Sequence, residues 1–310
     1  MYRQIGELCV LQYQTTMKSR EQIILSLNGG EGLKHFSFSQ LRLPIGMWIV
    51  DYMCRSQQQR RSDKKNYRLG FGSVCSNVVQ EARGKYIYDG DKKRSALNNY
   101  DKAFEKEYSD YLLNPYDELD KEVRENITDK IHSTAKNIDA AVTNIFSNKD
   151  LTCERYVDMF PKDLWLGFTG RLDYEIPEHF AECKTKPPKA VRRKKGLGFN
   201  KQQLPKEPDP YNIDQVAFYR FASGKEPFLF YANEDDFIIF DNTHPALYDD
   251  HLEYCLNQLF NKAKTIQRLL SISNGEPEIM AEFVEKPSLT DWKAKELSME
   301  QIEIINKLWR

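Results

Sequence analysis

The stretch GRLDYEIPEHFAECKTK, Gly170 to Lys186, carries two acids and a lysine, Asp173, Glu182 and Lys184, on a strand–turn–strand pattern. A hairpin turn centred on Pro177 and Glu178 puts residue 173 opposite 182 and residue 171 opposite 184. Opposed residues on antiparallel strands share a face, as do residues two apart on one strand. On this register the three polar groups converge. Two opposed carboxylates repel each other. A divalent cation between them removes that penalty, and hard oxygen ligands suit Mg²⁺ or Mn²⁺. A lysine beside them holds a water or an anionic oxygen. Metal, water and ammonium together are what phosphodiester hydrolysis requires. Spacing alone modestly favours a surface hairpin with a cross-strand ion pair, which is a common arrangement. Acid-x-Lys also occurs at Asp63–Lys65, Asp91–Lys93 and Asp291–Lys293, in polar or helical surroundings. Strand context and the partner Asp173 set Glu182–Lys184 apart.

The elements around this stretch follow from periodicity. Residues 35–55 read as a polar start and a buried helix that restarts after Pro44. RSQQQRRSDKKNYR is a polar, basic connector, and GFGSVCSNVVQEARGKY a helix with glycines at its start. Over 95–148, apolar residues recur at three or four, which predicts two long amphipathic helices. In DLWLGFTGRLDYEI the even positions Leu164 to Ile176 are apolar, which predicts a strand with one packed face. HFAECKTK is a shorter strand, and PFLFYANEDDFIIFDN a hairpin turning at NEDD. Residues 245–271 form a long helix, followed by helical pieces around Pro277 and Pro287. The order predicts an α/β (α+β) fold with a mixed sheet flanked by helices. We divide the single domain, 1–310, into an N-terminal helical segment (1–66), a helical insertion (95–148), a core sheet with its motif helix (150–243) and C-terminal helices (245–310).

Bulk properties exclude several classes. The net charge is −1 over 310 residues, so any nucleic-acid surface must be local. No apolar run approaches the ~20 residues of a membrane span. The start MYRQIGELCV lacks a basic region followed by an apolar one. The expectation is a cytoplasmic protein with no membrane partner. The six cysteines show no CxxC spacing, which argues against zinc or iron–sulfur clusters and for buried free thiols. The histidines show no ligand spacing. LNGGEG is a turn, since no Gly-Lys-Ser/Thr follows it.

The hairpin residues resemble the PD-(D/E)xK nuclease superfamily, specifically its RecB-like exonuclease branch. The resemblance is carried by GRLD (Gly170–Asp173), ECKT (Glu182–Thr185) and, on the next helix, the Gln-x-x-x-Tyr pair Gln215 and Tyr219 in DQVAFYRF. FSFSQL, Ser37 to Leu41, is similar to the serine-rich start of that branch. GSVCSNVVQ, Gly72 to Gln80, fits its upstream G-x-x-x-H-x-x-x-E helix in spacing, with Ser76 for the histidine and Gln80 for the acid. Glu81 is adjacent but points about 100° away on a helix. The upstream ligand is therefore Gln80, Glu81 or absent. The resemblance spans residues 36–270 and implies a restriction-endonuclease-like sheet and metal-dependent cleavage of DNA. It implies Asp173, Glu182 and the Cys183 carbonyl as Mg²⁺ or Mn²⁺ ligands. Lys184 would orient the attacking water and stabilise transition-state charge. Gln215 and Tyr219 would contact DNA or support the site. Members serve recombination, repair or DNA degradation, and many are virus-encoded.

Lys184 to Lys206 contains nine basic residues and no acid. Its prolines and glycines predict a mobile loop. Its place beside the motif predicts contact with the DNA backbone through Lys186, Arg192, Arg193, Lys194 and Lys195. The rival readings are a structure-specific endonuclease, a non-catalytic nucleic-acid-binding module retaining the fold, and a helical interaction protein. RNA as substrate is also open.

Overall fold

Four helices begin with the same signal, Ser-x-x-Gln, at Ser19, Ser37, Ser56 and Ser298. In each, the serine hydroxyl accepts from the third residue's N–H while the glutamine side chain returns to the serine N–H. The serine-rich FSFSQL segment thus starts a short helix. The computed structural model describes residues 17–63, 66–113, 115–147, 149–194, 196–289 and 297–310. Lys65, Lys195, Asp291 and Lys293, named above, and one of the six cysteines, Cys9, lie outside the described residues.

In chain order the elements are α1 (Arg20–Ser26), β1 (Phe36–Ser37), α2 (Phe38–Arg42), α3 (Ile45–Tyr52), α4 (Gln57–Ser62), α5 (Tyr67–Arg83), β2 (Gly84–Asp89), β3 (Lys92–Ser95), α6 (Tyr100–Leu112), α7 (Glu118–Asn126) and α8 (Thr128–Phe146). They continue with β4 (Leu151–Met159), β5 (Phe168–Glu175), β6 (His179–Thr185), β7 (Lys189–Arg193), β8 (Gly196–Asn200), α9 (Pro210–Ser223), β9 (Glu226–Ala232), β10 (Phe237–Phe240), α10 (Asp249–Ile272), α11 (Pro277–Ala281) and α12 (Met299–Leu308). Among the described residues no helix is long and apolar enough to cross a membrane.

The mixed sheet runs β10-β9-β6-β5-β4-β2-β3, with β1 pairing parallel to the start of β5. Pairs β2–β4 and β6–β9 are parallel, and the other neighbours along the sheet are antiparallel. Two apolar cores flank it. One joins Phe168, Leu172, Phe180 and Leu229 to α9, α10 and the N-terminal helices. The other joins Tyr174, Ala181 and Phe230 to α5 and α8. The 95–148 segment is therefore structural: Ile131, Ala135, Ile138, Val142 and Phe146 of α8 are buried in the second core.

Several expectations are corrected. Strand β5 begins at Phe168, and Leu164 and Leu166 are buried ahead of it. Its even positions do not share one core: Phe168 and Leu172 serve the first, Tyr174 and Ile176 the second. The switch falls at Asp173, beside Glu154 of β4, whose φ is +59°. The two expected long helices are three, broken at Ile127. Helix α5 ends at Arg83, and Lys85 and Tyr86 begin a hairpin, β2–β3, that periodicity did not predict. The expected basic loop is a second hairpin, β7–β8, in full register from Lys189↔Asn200 to Arg193↔Gly196. Pro277 starts a helix, but the described residues 284–289 around Pro287 do not form one. Cys54, Cys75, Cys153, Cys183 and Cys255 are free thiols, as expected.

The motif glycines mark close approaches to the sheet. A Cβ on Gly170 would lie 2.4 Å from a Tyr219 ring carbon and 2.8 Å from one of Phe218. A Cβ on Gly72 would lie 2.8 Å from the Thr185 hydroxyl. Helix α9 thus rests directly on β5, and α5 on the end of β6. Gly170→Ala must displace two buried aromatic rings, and overpacking of this kind costs about 1–3 kcal/mol. Chemical denaturation of Gly170→Ala should show a loss in that range. Gly170→Ala combined with Tyr219→Ala should cost less than the sum of the two single changes.

Candidate active site

Strands β5 and β6 pair only at Glu175↔Phe180 and Tyr174↔Ala181. Continued by one residue, this register sets Asp173 opposite Glu182, as the sequence predicts. There the strands part. β6 keeps its parallel partner β9 through Thr185, while the start of β5 takes β1 instead. The expected opposition of Arg171 and Lys184 is accordingly not a ladder pair. At the fork the Asp173 side chain replaces the missing backbone acceptor: its Oδ2 receives the Cys183 N–H at 2.8 Å. The fork opens into a cleft of about 550 Å³ that Asp173, Glu182, Cys183, Lys184, Gln215 and Gln80 all line.

Glu182 is 2 % exposed, and its two oxygens differ. Oε1 accepts from the Lys184 ammonium at 2.5 Å, whereas Oε2 is buried without a hydrogen-bond partner. An unpaired buried carboxylate oxygen is costly. Nearby Glu175, equally buried, shows the ordinary solution, with Lys225 at 2.7 Å and Arg155 also paired to it. The Lys184 ammonium makes a second bond to Gln215 Oε1 at 2.9 Å. Gln215 Nε2 in turn donates to the Tyr219 hydroxyl at 3.0 Å, which also accepts the Arg171 backbone N–H at 3.3 Å. Tyr219 is buried, so this residue, expected at DNA or in support, is a strut between helix and sheet. Gln215 is the link that holds the lysine.

The charge balance follows from this packing. Burial, and then repulsion by Glu182 and Glu154, push the Asp173 carboxyl well above the usual aspartate range, with Lys184 opposing. Burial also raises Glu182, again against the pull of Lys184. Burial alone would lower Lys184, but Glu182 and Asp173 outweigh it and the lysine stays charged.

The residue that sequence reasoning missed is Glu154. Pairs Cys153↔Tyr174 and Arg155↔Leu172 bracket it, which sets it beside Asp173 on the strand opposite β6. Its Oε1 accepts from Gln80 Nε2 at 2.8 Å and its Oε2 pairs with Arg171 Nη1 at 3.0 Å. The alternation Leu151, Cys153, Val157 and Met159 was the available signal for its strand. Of the upstream candidates, Gln80 faces the cleft and also reaches the Asp173 carbonyl at 3.4 Å. Glu81 is consumed by Arg94 and Lys106. Ser76 is bonded to the Tyr174 hydroxyl at 3.0 Å.

Lys186, Arg192, Arg193 and Lys194 are not among the residues lining the cleft. Lys186 sits 5.3 Å from the centre of the Tyr231 ring. Arg192, 75 % exposed, approaches Glu122 at 3.4 Å, and Arg193 bonds Asn200 at 2.7 Å. Lys194 is exposed at the hairpin turn. The hairpin is fixed to α5 by Tyr67, whose hydroxyl accepts the Ala190 N–H at 2.8 Å and donates to the Pro188 carbonyl at 3.3 Å.

Among the described residues, no three His, Cys, Asp or Glu side chains form a group that could hold a metal ion. The donor set nevertheless fits a hard cation, because Glu182 Oε2 is a buried anionic oxygen with nothing bound to it. No family model, curated protein or solved structure matches this chain.

Crowded carboxylates give a stability signature. The native Asp173 pKa is raised above the unfolded value of about 3.9. The native state therefore binds the extra proton, and this group's contribution to stability falls as pH rises from there through the native pKa. With chelator present, Asp173→Asn should melt higher than wild type. The gap should widen as pH rises from 4 toward neutrality. A gap that stays constant or narrows would contradict the assigned charge crowding.

Proposed function

We propose that this chain is a Mg²⁺- or Mn²⁺-dependent DNA nuclease of the PD-(D/E)xK superfamily, acting as a RecB-like exonuclease on a restriction-endonuclease-like core. The observation that carries the reading is the buried, unpartnered Glu182 Oε2 in a cleft it shares with Asp173 and Lys184. Glu234 Oε2 is buried without a partner as well; Glu182 differs in sharing its cleft with a second carboxylate, Asp173, and with Lys184. Asp173 and Glu182 would hold the cation, with the Cys183 carbonyl between them in sequence. When bound, the cation supplies a nucleophile at neutral pH and charge at the phosphoryl oxygen.

The protein's own groups do the rest. Lys184 is held in place by Gln215, which is braced by Tyr219. From that position the Lys184 ammonium would orient the attacking water and offset charge building on the phosphate. Its positive charge is secured by Glu182 and Asp173. Arg192, Arg193 and Lys194 on the β7–β8 hairpin are proposed to hold the DNA backbone.

The test uses linear duplex, circular duplex and single-stranded DNA, with Mg²⁺, Mn²⁺ or chelator. Loss of linear substrate that requires metal and vanishes in Asp173→Ala and Lys184→Ala is the expected result. Cleavage of circles would instead favour an endonuclease, and binding without cleavage a non-catalytic module. The second of these has one observation in its favour, Gln80 at the position where the motif this segment resembles has an acid. Every phosphate that a variant no longer neutralises should flatten the log–log salt dependence of binding by about 0.7–0.9. Neutralising Arg192, Arg193 and Lys194 together should therefore weaken binding and reduce that slope by about 2–3. An unchanged slope rejects the hairpin as a DNA contact.

A further inference from the structure

We propose that Arg171 is a phosphate-binding subsite of the cleft, its guanidinium held by Glu154 for the backbone of a bound nucleic-acid strand. The inference rests on the reading of the cleft as a nucleic-acid site and adds a residue to which the motif resemblance gives no role.

Three observations carry it. The first is the supply of unspent charge. Three cationic side chains line the cleft: Arg94, Arg171 and Lys184. Arg94 is engaged by Glu81 through two nitrogens, at 2.7 and 3.0 Å. Lys184 is held by Glu182 and Gln215. Arg171 has one ionic partner, Glu154, reached through Nη1 at 3.0 Å, and its side chain is 53 % exposed. Among the described residues its Nε and Nη2 donate no hydrogen bond. Those two nitrogens form one edge of the planar guanidinium, the edge that grips a phosphate through two parallel N–H bonds.

The second is orientation. Tyr156 and Arg171 are direct partners across β4 and β5, and the guanidinium carbon lies 5.9 Å from the centre of the Tyr156 ring. Gln80 Nε2 holds Glu154 from its other oxygen at 2.8 Å. The line Gln80–Glu154–Arg171 restrains an exposed side chain that is costly to order. A surface ion pair adds little stability in return, so the restraint points to a task other than folding. The third is position. Arg171 and Asp173 are two residues apart on β5 and both line the cleft. That sets the arginine about 7 Å along the strand from the acids. The offset keeps it off a phosphate held at the acids and suits an adjacent phosphate of the same strand.

A plain ion pair is the competing account, in which Glu154 only neutralises Arg171. The two differ in what loss of Glu154 does. A neutralised arginine would gain free charge and bind an anion better. A positioned arginine would lose its aim.

The experiment measures binding of fluorescein-labelled linear duplex and single-stranded DNA to the full chain by anisotropy, in chelator, over a series of salt concentrations. Wild type, Arg171→Gln, Arg171→Lys, Glu154→Gln and the double variant Arg171→Gln/Glu154→Gln are compared. Arg171→Gln should weaken binding about tenfold, as for loss of a charged hydrogen-bond partner. It should also flatten the log–log salt slope by about 0.7–0.9. Arg171→Lys should keep the slope and still bind severalfold more weakly, because an ammonium does not reproduce the two-pronged contact. In the Glu154→Gln background, Arg171→Gln should cost less than it does in wild type. An unchanged slope in Arg171→Gln, with metal-dependent cleavage by wild type, would overturn the subsite and leave the nuclease reading standing. Arg171-dependent binding without any cleavage by wild type would support the subsite and remove the nuclease reading. An equal or larger effect of Arg171→Gln in the Glu154→Gln background would end the positioning role of Glu154. If Arg171→Gln does not fold, Arg171→Lys decides: weaker binding at the same slope supports the subsite, and wild-type affinity rejects it.

Discussion

The site depends on acids collected where a sheet divides. Carboxylates that leave water without a partner are costly, and neighbouring ones add mutual repulsion. Here the cost is met in pieces. Asp173 takes a backbone N–H that the parting strands leave unpaired. Glu182 takes one ammonium. Glu154 takes an amide and a guanidinium. The one lone pair set left over, on Glu182 Oε2, is the imbalance from which the functional reading starts. A region that tolerates such an imbalance gives up stability for it, and functional sites are where proteins do so.

Helix α9 turns this electrostatic arrangement into a rigid one. Its Gln215 and Tyr219, four residues apart and so on one helical side, form a hydrogen-bonded line from the lysine to the backbone of β5. The lysine is thus restrained by two partners on different elements. Its neighbour in sequence, Cys183, contributes through its backbone N–H to Asp173. Side chains on β6 and backbone on β5 are tied to the same helix.

Much of this was legible from local pattern. The β5–β6 register followed from turn position alone, because a two-residue period leaves no freedom once the turn is fixed. Asp173, Glu182, Lys184, Gln215 and Tyr219 come together as that register and the helical spacing require. Glu154 was not legible, because its contribution depends on which strand lies next to β5, a long-range fact. Strand β4 also mixes Glu154, Arg155 and Asp158 among its apolar residues, which blurs its alternation. The even-numbered apolar run in β5 suggested one packed face, yet the strand changes cores at Asp173, where Glu154 adopts a left-handed backbone. The basic stretch read as a loop because of its prolines and glycines. Pairing and anchorage by Tyr67 override that preference.

The two helices that border the site approach the sheet at residues lacking a side chain, α9 over Gly170 and α5 through Gly72. Layer spacing at the fork is thereby gauged by direct contact and not by how full the two apolar cores are. A residue such as Val142 on α8 can drift in size over evolution, or be exchanged in engineering for thermal tolerance, with little transmission to the acids. The glycines act as calipers, and the geometry they hold is insulated from the sequence history of the interior around it.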